Sequence, residues 1–212
     1  MRLIHKFLFF ITLAFSVFTS HAQNFDIDLL KQINKNETDF KDGYLKFCTK
    51  SSKIADIVAP VSVFAVGLKK HDKKLQQNAM YMGAAYLGTF VITQITKRIV
   101  NRNRPFQDYS FIVKRDNQSE GRSFPSGHTS GIFCTATTLS LYFPKWYVIA
   151  PAYLYAASVG WGRMYEGVHY PSDVLTGAIV GAGTAYLSYK VQQWHDKKAD
   201  KKNKTPHQKI GL

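Results

Sequence analysis

Five apolar segments, at about residues 54–68, 79–96, 129–143, 146–162 and 174–189, constrain the fold of this chain more than any other feature. None alternates apolar and polar residues as a half-buried strand does, so all five read as helices. Small residues recur within them, as in Gly83-Ala84-Ala85, Gly177-Ala178 and Gly181-Ala182-Gly183. Such residues let helix backbones approach closely. The expected fold is therefore all-α, a bundle of five core helices within residues 54–190.

The flanks read differently. Residues 1–22 open with a short basic stretch, continue through a Phe-rich apolar run at 7–18, and end at Ser20-His21-Ala22. That order reads as a secretory signal peptide or an N-terminal membrane anchor. Residues 23–53 are mixed and polar and read as one or two amphipathic surface helices separated near Gly43. Residues 191–212 are Lys-rich and read as a solvated, disordered tail. Cys48 and Cys134 allow one pair at most, and no disulfide is expected.

Charge bears on topology. Lys and Arg exceed Asp and Glu by 14 over 212 residues. No zinc-finger spacing, RNA-recognition aromatics or basic heptad helix accompanies that excess, so nucleic acid is not an expected partner. Most of the apolar segments are shorter than the roughly 20 residues of a membrane span. The placement of charge nevertheless favours one. The cluster Lys69-Lys70-His71-Asp72-Lys73-Lys74 and the basic tail fall on one side of a serial helix bundle, as cytoplasmic loops do. The expectation is an integral protein of a bacterial inner membrane, its chemistry on the periplasmic face; a soluble periplasmic protein is the alternative.

That chemistry lies in three motifs. The first runs from Lys97 through Arg104-Pro105, the second is Pro125-Ser126-Gly127-His128, and the third spans residues 162–173, with Arg163, His169 and Asp173. Phosphoryl transfer depends chiefly on positioning and on stabilising charge spread over oxygens. Arginine offers phosphate a planar fork and lysine a compact charge, so Lys97, Arg104 and Arg163 read as a cationic cradle. Ser126 is placed as a helix N-cap, where free N–H groups attract anions. Gly127 leaves room for phosphate to approach. Asp173, four residues after His169, is placed to fix that ring's tautomer, leaving its other nitrogen as a nucleophile. His128 reads as a general acid. No acidic metal-ligand cluster accompanies these residues, so neither metal nor cofactor is expected.

The order and spacing of the three motifs resemble the type-2 phosphatidic acid phosphatase superfamily, which includes lipid phosphatases, bacterial acid phosphatases and vanadium haloperoxidases. The motifs span residues 97–173, and a looser resemblance extends over about 54–189. It implies His169 as nucleophile, Asp173 as its orienter and His128 as acid. It assigns phosphate binding to Lys97, Arg104, Ser126, Gly127 and Arg163. It implies a lipid or isoprenoid phosphate as substrate and a phosphohistidine intermediate. A broad-specificity soluble acid phosphatase and a vanadate-dependent haloperoxidase are the alternatives it leaves. One departure shows: the third motif usually opens Ser-Arg, and here Gly162 precedes Arg163.

Overall fold

The computed structural model describes residues 25–35, 38–117 and 119–204, and within them every regular element is helical. Residues 25–35 form α1. It is followed by α2 (Asp39–Lys69), α3 (Lys73–Val100), the short α4 (Pro105–Asp108), α5 (Gly127–Tyr142), α6 (Trp146–Tyr165) and α7 (Pro171–Lys204). The signal or anchor expected over 1–22 lies outside the described residues.

Local chemistry sets several helix ends. Thr38 caps α2 by accepting from the Lys41 N–H, and Asp72 caps α3 by accepting from the Leu75 N–H. Asp39 and Asp42 in the first turn of α2 suit its positive dipole end. α3 stops at Asn101, which adopts the left-handed conformation at φ 54°, one that asparagine tolerates better than most residues. Pro171 starts α7, where its missing N–H leaves no bond unmade.

The five expected helices are present, but two boundaries differ. α2 runs unbroken through Gly43, where a separation was expected. One glycine costs a helix only about 1 kcal/mol, and burial of Leu45 and Cys48 on either side of the next turn outweighs it. α7 continues to Lys204 through residues expected to be disordered. Its extension docks on α3: Asp196 accepts from Lys74 and Gln77, Gln192 donates to Asn78, and Tyr81 pairs with His195.

α5 is the central helix and packs against α2, α3, α6 and α7. Its sequence is rich in Ser and Thr, and the fold satisfies their hydroxyls. Ser130 donates to the Ser126 carbonyl, Thr138 to Cys134 and Ser140 to Ala136. Around it, Cys48, Ile132, Ala136, Ala156 and Val159 form one core, while Ala85, Cys134 and Ala185 form another. A third, around Leu30, Ile33, Leu45, Ile112, Met164, Tyr165 and Tyr170, seats α1 over the end of the bundle that carries the motifs.

Small residues make the α5–α7 contact. A Cβ at Gly181 would lie 2.1 Å from the Ser130 carbonyl oxygen and 2.8 Å from the Cys134 nitrogen, both backbone atoms that cannot swing aside. Gly181→Ala is expected to lower stability by about 1–3 kcal/mol through overpacking, measured as thermal unfolding in detergent. Gly83 differs from expectation, because a Cβ there would meet nothing within 4 Å.

The outer surface is apolar. Ile54, Ile57, Val58 and Val61 on α2, Leu87, Phe90 and Val91 on α3, Leu154 on α6, and Leu175, Ile179 and Leu187 on α7 all face outward. A continuous apolar belt of this kind is a liability in water and a match for lipid. α2 is long and apolar enough to cross a membrane.

Candidate active site

Chain direction brings the motifs together. α3 ends, α5 begins, α6 ends and α7 begins at one end of the bundle. The Lys69–Lys73 turn and the α5–α6 connection lie at the other. Lys97, Arg104, Gly127, His128, Arg163 and His169 all line one cavity of about 460 Å³. A neighbouring cavity of about 510 Å³ shares Lys53, Ser119, His128 and Arg163 with it and adds Lys46, Lys50 and Arg115 at its wall.

His169 is the best-defined group. It is 2% exposed, on the short link between α6 and α7. Its Nε2 lies 3.3 Å from Nη1 of Arg104. A guanidinium can only donate, so Nε2 presents its lone pair and the ring proton sits on Nδ1. Nδ1 in turn lies 3.4 Å from Oδ2 of Asp173 and 3.4 Å from Oγ of Ser123. Burial, followed by the charges of Arg104, Arg163 and Lys97, holds the imidazole well below its usual pKa. His169 is therefore neutral at neutral pH, with its free nitrogen facing the cations.

Asp173 is fully buried and collects donors. Arg102 reaches Oδ1 at 2.9 Å, the Tyr170 N–H reaches Oδ2 at 2.9 Å, and the Ser123 hydroxyl also donates to Oδ2. The carboxylate is thereby fixed behind the ring.

The cations differ in how they are held. Arg104 is clamped by carbonyls of Gly121, Val168 and Glu120 at 2.9–3.1 Å. Burial and the nearby Arg163 pull it down to about 10, which leaves it charged at neutral pH. Lys97 donates to the carbonyls of Arg122 at 2.7 Å and Ser123 at 3.2 Å, tying the end of α3 to the second motif. Arg163, 3% exposed, pairs with Glu166 at 2.7 Å and Asp116 at 3.0 Å. Its Nε–H is buried without a partner, a donor an incoming oxyanion can satisfy.

Two expected ligands sit differently from the rest. Ser126 immediately precedes α5, but its side chain makes no cap. The hydroxyl instead accepts from Thr129 at 2.8 Å, and its N–H donates to the Asp173 carbonyl at 3.0 Å. It joins motifs two and three from behind the cavity. Gly127 lies at the cavity wall, where the uncapped first turn of α5 is open to an anion. Gly162 has a packing reason: a Cβ there would lie 2.6 Å from Thr49 Cγ2, so the usual serine would press α6 off α2.

Sequence reasoning missed the supporting residues. Arg102 bridges Asp173 to Asp26 of α1, at 2.9 and 3.0 Å, and stacks 3.7 Å over the Tyr170 ring. Asp26 also accepts from the Ser172 N–H at 2.8 Å. Glu166 was visible inside the third motif, three residues past Arg163, a spacing that pairs charges on a helix end. Asp26, Asp116 and Ser123 gave no local signal, since only the fold brings them near.

A family model for the PAP2 superfamily matches residues 78–197. The chain is 27% identical over 168 residues to an undecaprenyl-diphosphatase of Sulfolobus acidocaldarius, covering 79% of each protein. It is 34% identical over 89 residues to a lipid A 4'-phosphatase of Bacteroides thetaiotaomicron, covering 42% of this chain and 39% of that protein. Among solved structures, LpxE of Aquifex aeolicus superposes with a TM-score of 0.67 at 25% identity, over 78% of this chain and 95% of that one. A transmembrane PAP2-type phosphatidylglycerolphosphate phosphatase of Bacillus subtilis gives a TM-score of 0.69 at 23% identity, over 88% of this chain and 94% of that one.

Proposed function

Since the chain belongs to the PAP2 superfamily, we propose that it removes phosphate from the phosphomonoester or diphosphate head of a lipid or isoprenoid through a phosphohistidine at His169. The observation that carries this reading is the ring of His169, held by Asp173 on one nitrogen and turned by Arg104 to present the other.

The steps follow from the positions. The phosphoryl group sits among Lys97, Arg104, Arg163 and the first turn of α5. The lone pair on His169 Nε2 attacks phosphorus as the bond to the leaving oxygen breaks. The proton stays on His169 Nδ1 and is donated in a hydrogen bond to the Asp173 carboxylate, which stabilises the positive charge growing on the ring. His128, on the first turn of α5 and shared by both cavities, takes up a proton as the phosphate anion enters beside it and gives that proton to the departing alkoxide or phosphate. General acid help of this kind contributes about 10²–10⁴-fold. Water then attacks the phosphohistidine, His128 takes its proton, and inorganic phosphate leaves with His169 restored.

The apolar belt supports membrane insertion over the soluble periplasmic alternative. The basic Lys69–Lys73 turn lies at the end away from the site, which supports a periplasmic face for the chemistry. A lipid substrate would then keep its tail in the bilayer while its head enters the cavity. The named relatives are phosphatases, which favours this reading over vanadate-dependent haloperoxidase chemistry.

Protein side chains supply the nucleophile, the acid and the phosphate-binding charge. Phosphate release from phosphatidic acid or a prenyl diphosphate by the detergent-purified protein is therefore expected to persist in excess EDTA. Loss of activity in EDTA, restored by a divalent cation, would count against the mechanism.

A further inference from the structure

We propose that Asp56 is a specificity-determining residue that receives a hydroxyl on the leaving group, so that the preferred substrate carries its scissile phosphate on a polyol, of glycerol or sugar type, rather than on a bare prenyl chain. This rests on the phosphatase reading above and narrows its substrate class.

Asp56 lies in the apolar stretch of α2 yet is only 3% exposed, turned away from lipid and into the bundle. A carboxyl group at such depth is expensive and is retained where it has something to bind. One oxygen is accounted for, because the Thr135 hydroxyl donates to Oδ1 at 2.7 Å. Oδ2 has no hydrogen-bond partner among the described residues. It sits against Gly131, where a Cβ would come within 2.3 Å of it. Asp56 and Gly131 both line the cavity that contains His128, Arg163 and His169. The mechanism described above makes no use of Asp56.

Helix geometry sets the depth. His128, Gly131 and Thr135 are spaced i, i+3, i+7 and share one face of α5. Oδ2, beside Gly131, therefore lies about one helical turn, roughly 5 Å, further along α5 than His128. His128 protonates the bridging oxygen. A group on the carbon adjacent to the one bearing that oxygen falls at the depth of Oδ2. Ile57 and Phe90 also line the cavity and face outward, an apolar edge that suits the lipid portion.

A hydroxyl fits whichever protonation state Asp56 takes, since it can donate to a carboxylate or accept from a carboxylic acid. A methylene in the same place leaves Oδ2 buried against it with no partner, and sites built to bind a hydroxyl discriminate strongly against its absence.

The test is a matched substrate pair in detergent micelles: phosphatidylglycerol phosphate, and its analogue with 1,3-propanediol in place of the terminal glycerol. The analogue lacks only the hydroxyl neighbouring the phosphorylated carbon. Wild type is expected to favour the glycerol compound by about tenfold or more in kcat/KM. Asp56→Ala should bring that ratio near one, and Asp56→Asn, which can still pair with a hydroxyl, should retain it. Equal wild-type rates on the pair, or an Asp56→Ala loss shared equally by both, would overturn the proposal while leaving the phosphatase reading intact. The wild-type ratio needs no variant, so it decides even if Asp56→Ala does not fold. No release from either compound, nor from farnesyl diphosphate, would overturn the phosphatase reading itself.

Discussion

His169→Ala is expected to lower kcat by about four orders of magnitude or more, because the ring held by Asp173 and turned toward the cations is lost. KM is expected to change little, since the charges that bind phosphate belong to Lys97, Arg104 and Arg163. The residue is buried, so truncation also removes packing. His169→Asn serves as the control. It keeps a polar side chain against Asp173 and offers no nucleophilic ring nitrogen, so kcat should fall as far while thermal stability stays closer to wild type. A variant at His169 that keeps wild-type kcat would remove the nucleophile from the account.

Asp173→Asn is expected to lower kcat by about 10⁴-fold, the scale seen when a histidine's orienting carboxylate is lost elsewhere. The reason lies in the donors that converge on it. Arg102, the Ser123 hydroxyl, the Tyr170 N–H and the His169 Nδ1 all point at its two oxygens. An asparagine keeps one acceptor and turns an NH₂ group toward donors on the other side. Whichever way the amide sits, either Arg102 or the ring loses its partner. If the ring loses it, the proton is free to move to Nε2, where it blocks attack. Phosphate binding should survive, so the loss should fall on kcat with KM near wild type. An equal loss in both, together with a collapsed melting temperature, would assign Asp173 a merely structural role.

How much of this was legible in the sequence varied with the range of the interactions. The core helices were legible because apolar runs and small residues are local signals. Their ends were not, because partners on other helices decide them. α7 continues past residue 190 because Asp196 and Gln192 find Lys74, Gln77 and Asn78 on α3. α2 passes through Gly43 because Leu45 and Cys48, in the turn that follows, are buried by neighbours. At the site, the expected cations and histidines that line the cavity stood in three compact motifs. The residues that hold them did not: Asp26 lies on α1 and meets Arg102 and Ser172 only once α1 folds over the bundle end. Ser126 shows the limit within a motif. Its place before a helix was readable, but its hydroxyl accepts from the Thr129 side chain instead of capping α5, and its N–H reaches the Asp173 carbonyl. Asp56 stood in plain view as a carboxyl inside an apolar segment, and its meaning emerged only once Gly131 and Thr135 were set beside it.

Covalent catalysis by His169 is tested most directly by mixing the detergent-purified protein with substrate, quenching in alkali within the first turnovers, and mapping phosphorylated peptides by mass spectrometry. An alkali-stable, acid-labile phosphoryl group is expected on the peptide containing His169, absent from His169→Asn. A phosphoryl group on another residue, with that variant still turning over, would contradict covalent catalysis by His169.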